Sequence, residues 1–398
     1  MSTAIVVVAA LVAAGWTALA VRLLRLAKDP WSRFLEPVEG LPATSPAVDA
    51  VVPARNEEAH IGATVEGLRA QDYPSLTLTV VDDQSTDATA TILAKLAAEV
   101  GPRTPIRYVR GVERPEGWVG KTWAVQQGAN GSTAEWLWFV DADMGLHPRA
   151  LASAMAQADA TGADFVSLLP GVRCETFWQG AIASSFLQLL GQLYPLGRVN
   201  DPARPEAIAA GGFILVRRSA YDRAGGHEAV RRDIIEDIQL ARRVKLSGGK
   251  ILVRMAPRLV WTHMYGSFGQ IWRGLRKNAY AGMDYQPHKY GTGALFALVM
   301  AWSPWVAFAG GLAGLGVVST SVGACGLLAQ AAAAAPTLVF LRLPFPFAFA
   351  MPAGISAYVA IATSSVWHHH RGRILWKERA ISSSTVVSSP SEGAGTVG

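Results

Sequence analysis

The sequence predicts an α/β fold, a mainly parallel β-sheet with helices on both faces, joined to transmembrane α-helices at the N- and C-terminal ends. Three observations predict it. Between residue 47 and about residue 259, short apolar runs alternate with helix-like segments. The 398-residue chain is 51% hydrophobic and only 17% charged, fewer charges than a soluble chain usually carries. The apolar excess lies at the two ends, so it is not simply a larger core.

The first apolar run, residues 4–24, is long enough to span a bilayer. Arg22, Arg25, Lys28 and Arg33 follow it. The positive-inside rule therefore puts the next segment in the cytoplasm and makes residues 1–28 an anchor in the cell membrane. A cleaved signal peptide is the alternative, with Ala18-Leu19-Ala20 as a weak cleavage site, but no basic segment precedes the run. A second apolar block, residues 293–367, holds two or three spans, at about 294–316, 320–341 and 346–367. Three spans would carry the C-terminus outside. Yet His368-His369-His370-Arg371, Arg373, Lys377 and Arg379 form a flank of cytoplasmic type. One segment is therefore expected to be re-entrant or interfacial, and the middle one, weakened by Ala331 to Ala335 and Pro336, is the candidate. Residues 368–398 read as this basic flank followed by a Ser/Gly-rich, disordered tail.

In the middle, strands are expected over 48–52, 76–81, 106–109, 136–140 and 165–169, and helices over 59–70, 86–99, 122–129 and 148–160. Both faces of a parallel sheet are covered, so its strands read as near-continuous apolar runs. The formal charge of +6 is concentrated beside the apolar spans. That favours anionic lipid over nucleic acid as the partner, and no nucleic-acid motif is present. Two cysteines, Cys174 and Cys325, exclude a disulfide framework or zinc knuckle and fit a reducing compartment.

Ligands of such sheets bind at the carboxyl ends of the strands, and three polar clusters fall there. Pro53-Ala54-Arg55-Asn56-Glu57-Glu58 follows the first strand, Asp82-Asp83-Gln84-Ser85-Thr86-Asp87 the second, and Asp141-Ala142-Asp143 the strand over 136–140. Asp141 and Asp143, two apart, can turn both carboxylates to one hard cation, Mg²⁺ or Mn²⁺, which takes one or two carboxylates plus substrate phosphates. Glu236 and Asp237 open a helix expected over 236–246. Such acidity can simply serve the helix N-terminus, or one carboxylate can act as a general base on a hydroxyl nucleophile. Gly211 and Gly212 read as a close backbone approach leading into a strand, on the acceptor side. Residues 177–194 form an apolar helix, either interfacial or part of the core.

Over residues 47–290 these motifs, in this order, resemble the family 2 glycosyltransferases of GT-A fold. Gly117-Trp118-Val119-Gly120-Lys121-Thr122 is similar to a segment of the membrane-bound branch that glycosylates lipids, and the layout looks most like the hopene-associated group. The resemblance implies a cytoplasmic catalytic domain that transfers a sugar, with inversion, from a nucleotide-sugar donor, UDP by default, to a membrane lipid acceptor. It implies that Pro53, Arg55, Glu57, Asp82 and Asp83 bind the nucleotide, with Lys121 near the base or diphosphate. Asp141, Asp143 and His263 would hold the metal, and Asp237 would be the base beside Glu236. The Gln-x-x-Arg-Trp element of related membrane synthases is matched only by Gln270-Ile271-Trp272-Arg273-Gly274, with Gly where Trp belongs, which disfavours a polymer product. Trp376-Lys377-Glu378-Arg379 resembles a Trp-Lys-Gly-Arg element of the branch. A processive polysaccharide synthase and an inactive sugar-nucleotide-binding protein are the rival readings.

Overall fold

The computed structural model describes residues 2–26, 28–40, 44–99, 104–263, 267–280, 283, 285–371, 375–376 and 379–380. Helix α1 (Ser2–Leu26) precedes a regular alternation of β1 (Val48–Ala54), α2 (Ile61–Arg69), β2 (Leu76–Asp82), α3 (Thr89–Ala98), β3 (Ile106–Arg110), α4 (Gly120–Asn130) and β4 (Trp136–Phe139). Then come β5 (Met144–Leu146), α5 (Ala150–Thr161), β6 (Phe165–Leu169), β7 (Gly171–Arg173), α6 (Phe177–Leu193), α7 (Leu196–Val199), β8 (Ile214–Arg217) and α8 (Arg218–Arg223). The middle region closes with α9 (Glu236–Leu246), β9 (Ile251–Met255), β10 (Val260–His263) and α10 (Phe268–Ala279). Three further long helices are α11 (Pro287–Gly310), α12 (Val317–Leu341) and α13 (Met351–His370).

Seven strands form the main sheet in the order β3-β2-β1-β4-β8-β6-β9. All neighbours are parallel except β8, which runs antiparallel to both β4 and β6. A small second sheet, β5-β10-β7, lies beside the end of β4. The period-2 alternation of the strands divides the core. Val52, Leu78, Trp138 and Phe213 point to the layer that holds α2 and α5, whereas Val51, Phe139, Ile214 and Val216 point to the layer of α4 and α9. Helix α4 lies close because Gly128 faces Val51 and Val81, where a Cβ would collide with Val51.

Strand and helix positions follow the sequence expectation, with informative shifts at some ends. The helix expected from residue 86 begins at Thr89. The N–H of Thr86 donates to Asn56 Oδ1 at 2.8 Å and that of Ala88 to Glu58 Oε2 at 2.9 Å, so residues 86–88 are tied to the loop after β1 instead. The helix expected from Pro148 starts two residues later, at Ala150.

Three helices are long and apolar enough to cross a membrane: Val7–Leu26, Pro287–Leu315 and Val317–Leu341. They pack as a bundle through small residues. Gly323 sits against the backbone of Phe308, and Gly326 against Pro304 and Ala13, the close approach that small residues permit between apolar helices. The middle segment, α12, is therefore an unbroken helix of 25 residues, which corrects the expectation that it is the re-entrant one. The segment after it turns back within the bundle. Phe340, at the end of α12, meets Phe34 near the sheet domain. The chain then turns back into the bundle through Leu343 to Phe349, where Pro344 and Pro346 oppose α-helix. Phe349 lies against Trp305, in the last third of α11. From there α13 returns antiparallel to α11: Ser356 accepts a hydrogen bond from Trp302 at 3.0 Å, and Thr363 pairs with Tyr290 near the start of α11. Both ends of the segment from Arg342 to Arg371 thus lie on the side of the sheet domain. Helix α6 packs on α13, with Gly354 against Ala181 and Ser185. The sheet domain and the bundle therefore share a buried joint.

Candidate active site

The carboxyl ends of β1 and β2 carry two loops that are laced together. Arg55 is buried, and its Nη1 donates to the carbonyl oxygens of Asp83 and Gln84. Asn56 and Gln84 both adopt left-handed backbone, with φ of 50° and 55°. Asn56 is held there by its N–H to Ser85 Oγ at 3.0 Å and by the N–H of Thr86 on its own side-chain oxygen. Asp82 is buried with both oxygens occupied, one by the N–H of Ser85 at 3.0 Å and the other by the Tyr108 hydroxyl at 3.3 Å. The Asp83 N–H donates to the Ala54 carbonyl at 2.8 Å.

One strand further on, three elements converge on a cleft lined by Pro53, Lys121, Asp141, Gly211, Glu236 and Asp237, with Phe139, His227 and Val125 beneath. Lys121 stands in the first turn of α4, an unfavourable place for a cation near the positive end of a helix. Carboxylates compensate. Its Nζ lies 2.7 Å from Asp141 Oδ1, at the end of β4, and 2.8 Å from Glu236 Oε1, at the start of α9. Burial alone would lower the Lys121 pKa, but Asp141, Glu236 and Asp237 outweigh it and hold the ammonium well above its usual range. Asp237 Oδ2 accepts the Gly211 N–H at 2.9 Å, and its Oδ1 accepts the N–H of Ile238 at 2.8 Å. Burial, then the charge of Glu236, push the Asp237 pKa up to about 7 despite the opposing pull of Lys121.

The turn after Asp141 is locked from below by the Thr64 hydroxyl, which donates to the Ala142 carbonyl at 2.8 Å. Asp143, two residues past Asp141, is exposed and lies within reach of the charges of Asp141, Glu57 and Lys121. Partial desolvation and the neighbouring carboxylates of Asp141 and Glu57 raise its pKa to about 6. The cleft thus holds an excess of carboxylate over its single lysine, a field suited to a further cation. Among the described residues, no three His, Cys, Asp or Glu side chains form a complete metal cage. Two carboxylates two residues apart instead fit an ion shared with substrate phosphates.

Residues 49–225 match the model of the family described as "Glycosyl transferase family 2". These residues form a family 2 glycosyltransferase domain. The chain is 29% identical over 197 residues to 4,4'-diaponeurosporenoate glycosyltransferase of Staphylococcus aureus (strain USA300), a match that covers 49% of this chain and 50% of that protein. The chain therefore spans about half the length of this curated relative. Among solved structures, the mannosyltransferase PcManGT from Pyrobaculum calidifontis, in complex with GDP-Man and Mn²⁺, superposes with a TM-score of 0.54 at 22% identity, over 92% of this chain and 99% of that one. The shared fold is GT-A.

Within the family 2 domain and the segment that follows it, the structure gathers Pro53, Lys121, Asp141, Gly211, Glu236 and Asp237 in one cleft, while Asp143 is exposed outside the lining, close enough for the charge of Asp141 to act on it. Arg55 and Asp82 instead direct their hydrogen bonds into the loop lacing. Gly212 packs against Met144 below the site. Gln270 and Arg273 are exposed on α10 and line no part of the cleft. His263 ends β10, and its side chain lies outside the described residues. Residues 377 and 378 of the Trp-Lys-Glu-Arg element also lie outside them. One cleft residue escaped the sequence reading. His227 is buried against Phe139, with Nδ1 2.9 Å from the Tyr221 hydroxyl. Burial, then the Lys121 charge, push its pKa down to about 3, so it is neutral. Its signal was Gly225-Gly226, two left-handed glycines that turn the chain under the site.

Proposed function

We propose that the protein is an inverting glycosyltransferase that moves a sugar from a nucleoside-diphosphate donor, UDP by default, onto a lipid acceptor held in the membrane beside the cleft, a hopanoid or related polyisoprenoid among the candidates. The observation that carries the reading is the Asp237 carboxylate, held by the Gly211 N–H in the same cleft as Asp141, beside Glu236, which Lys121 joins to Asp141.

In this reading Asp237 takes the proton of the acceptor hydroxyl as its oxygen bonds to the anomeric carbon, and the nucleoside diphosphate leaves from the opposite face. A pKa near 7 suits that exchange, since the carboxylate is both available and basic near neutrality. Lys121 lies where its ammonium can pass from Asp141 and Glu236 to the donor phosphates. Asp141 and Asp143 would hold Mg²⁺ or Mn²⁺, which when bound neutralises charge on the leaving diphosphate. Holding the two substrates in line supplies much of the remaining rate.

The three apolar helices and the basic residues after α1 support an anchor in the cell membrane with the cleft on the cytoplasmic side. The returning segment α13 supports a C-terminus on the same side, which accounts for the basic flank that follows it. The curated relative's name supports transfer to a discrete acceptor. The test is turnover by the full chain in nanodiscs, with Mg²⁺ or Mn²⁺, a panel of nucleotide sugars and extracted membrane lipids. Release of nucleoside diphosphate with one sugar gained per lipid is expected. A ladder of sugars would replace this reading with a polymer synthase, and donor binding without turnover would replace it with a binding protein.

A further inference from the structure

A second cavity, of about 360 Å³, lies at the junction of the sheet domain and the helix bundle and shares no lining residue with the cleft. One wall is β7 and the turn into β10, with Arg173, Arg258 and Trp261; the other is the end of α12, with Phe340, Leu341 and Arg342. Three arginines face a space with little acid to balance them. Arg258 is paired with Glu36 at 3.0 Å. Arg173 lies over the Trp261 ring, 4.8 Å from its centre. Among the described residues, no carboxylate pairs with Arg173 or Arg342. Arg342 takes left-handed backbone, φ 52°, as it ends α12.

The apolar surface leading to this cavity has a direction. Cys325, Leu328, Ala332, Ala335 and Val339 are all exposed, at spacings of three and four, so they form one stripe along α12. The next position of the stripe is Arg342. A ligand that fits both features has an anionic head and an apolar tail.

We propose that this cavity binds the phosphate headgroup of an anionic membrane phospholipid, with its acyl chains lying along the exposed stripe of α12. Basic pockets where helices leave the bilayer recognise such headgroups, and the planar arginine fork suits a phosphate. The proposal rests on the membrane placement given above, but not on sugar transfer.

The test uses the full chain purified in detergent and stripped of lipid. It is offered phosphatidylglycerol or phosphatidylcholine in mixed micelles, and retained lipid is counted by native mass spectrometry. Wild type is expected to retain phosphatidylglycerol preferentially. The double exchange Arg173→Gln with Arg342→Gln is expected to weaken that retention about 30-fold, the attraction of two arginines to an anionic head. Arg342→Lys is expected to fall between, since it keeps the charge without the fork. Equal retention by wild type and a folded double variant would overturn the proposal. So would full displacement of the lipid by inorganic phosphate, which would assign the arginines to a soluble phosphate. Should the double variant not fold, the single exchanges decide, because both side chains are exposed: if neither weakens retention, the site is not there. Retention in a preparation with no sugar turnover would leave this inference standing and count against the transferase reading alone.

Discussion

The two halves of the sheet edge use polar side chains in opposite ways. After β1 and β2, the loops direct them at each other: Arg55 caps the carbonyls of Asp83 and Gln84, Asn56 receives the Thr86 N–H, and Asp82 closes its own turn. One strand away, Lys121, Asp141, Glu236 and Asp237 crowd like charges around one ammonium, and the pKa of Asp237 is displaced as a result. The first region is satisfied and sets shape. The second stores electrostatic tension that proton transfer and a bound cation can relieve. Perturbed carboxyl groups in a cleft mark chemistry more reliably than acidic residues as such.

The largest break in this contrast comes from Asp237→Asn. Sugar transfer is expected to fall by about 10²–10⁴-fold, the usual worth of a general base, while donor affinity measured by calorimetry stays within a factor of a few. Loss of donor binding in parallel would make Asp237 a binding residue instead. The same exchange has a signature in stability. The carboxyl ionises less readily in the folded chain than in the unfolded one. Its favourable contribution is therefore present below about pH 4 and lost as pH rises through about 7. The melting temperature of the Asn variant relative to wild type should accordingly climb between those limits. In wild type, transfer should fall on the acid side of about pH 7, where the base is protonated. A flat acid limb would remove Asp237 from that role.

A smaller effect is expected from Gly211→Ala. The added Cβ would stand 2.9 Å from Lys121 Nζ and 3.3 Å from Asp237 Oδ2. The lysine tip can move, so the fold should survive, and kcat should drop by about tenfold, the cost of roughly 1.4 kcal/mol in misaligned charge. Arg55→Met should do the reverse. Leaving the Asp83 and Gln84 carbonyls without this donor is expected to cost about 1–3 kcal/mol of stability by denaturant titration, with kcat near that of wild type. If Arg55→Met lowered kcat more than Gly211→Ala does, the division between shape and chemistry would fail.

Much of the fold could be read because its signals are local. Residues 165–169 and 236–246 were delimited as they stand, since apolar runs and helix-opening acids are properties of short windows. The insertion of β8, antiparallel, between β4 and β6 could not be read, because strand order depends on contacts far apart in sequence. For the same reason the hold of Arg55 Nη1 on the carbonyl groups of Asp83 and Gln84, some thirty positions on, could not be read beside its implied part in nucleotide binding. His227 was missed because a histidine amid glycines resembles any surface turn until Phe139 and Tyr221 close over it. The chain reversal was expected in α12 and lies after it, for a different reason. Ala331 to Ala335 lower hydropathy but favour helix and close packing. It is the prolines around Phe345 that break the chain into a short turn before α13.

The joint between α6 and α13 has a mechanical consequence. Helix α6 follows β7 in the chain and packs on α13, so it brackets the sheet domain to the bundle through the contact of Gly354 with Ala181. If the proposed reading holds, such a bracket would keep the Asp237 carboxylate at one altitude above the bilayer. The acceptor would then be measured by how far its hydroxyl reaches from the hydrocarbon, so that two lipids of like chemistry and unequal reach would be told apart by length alone.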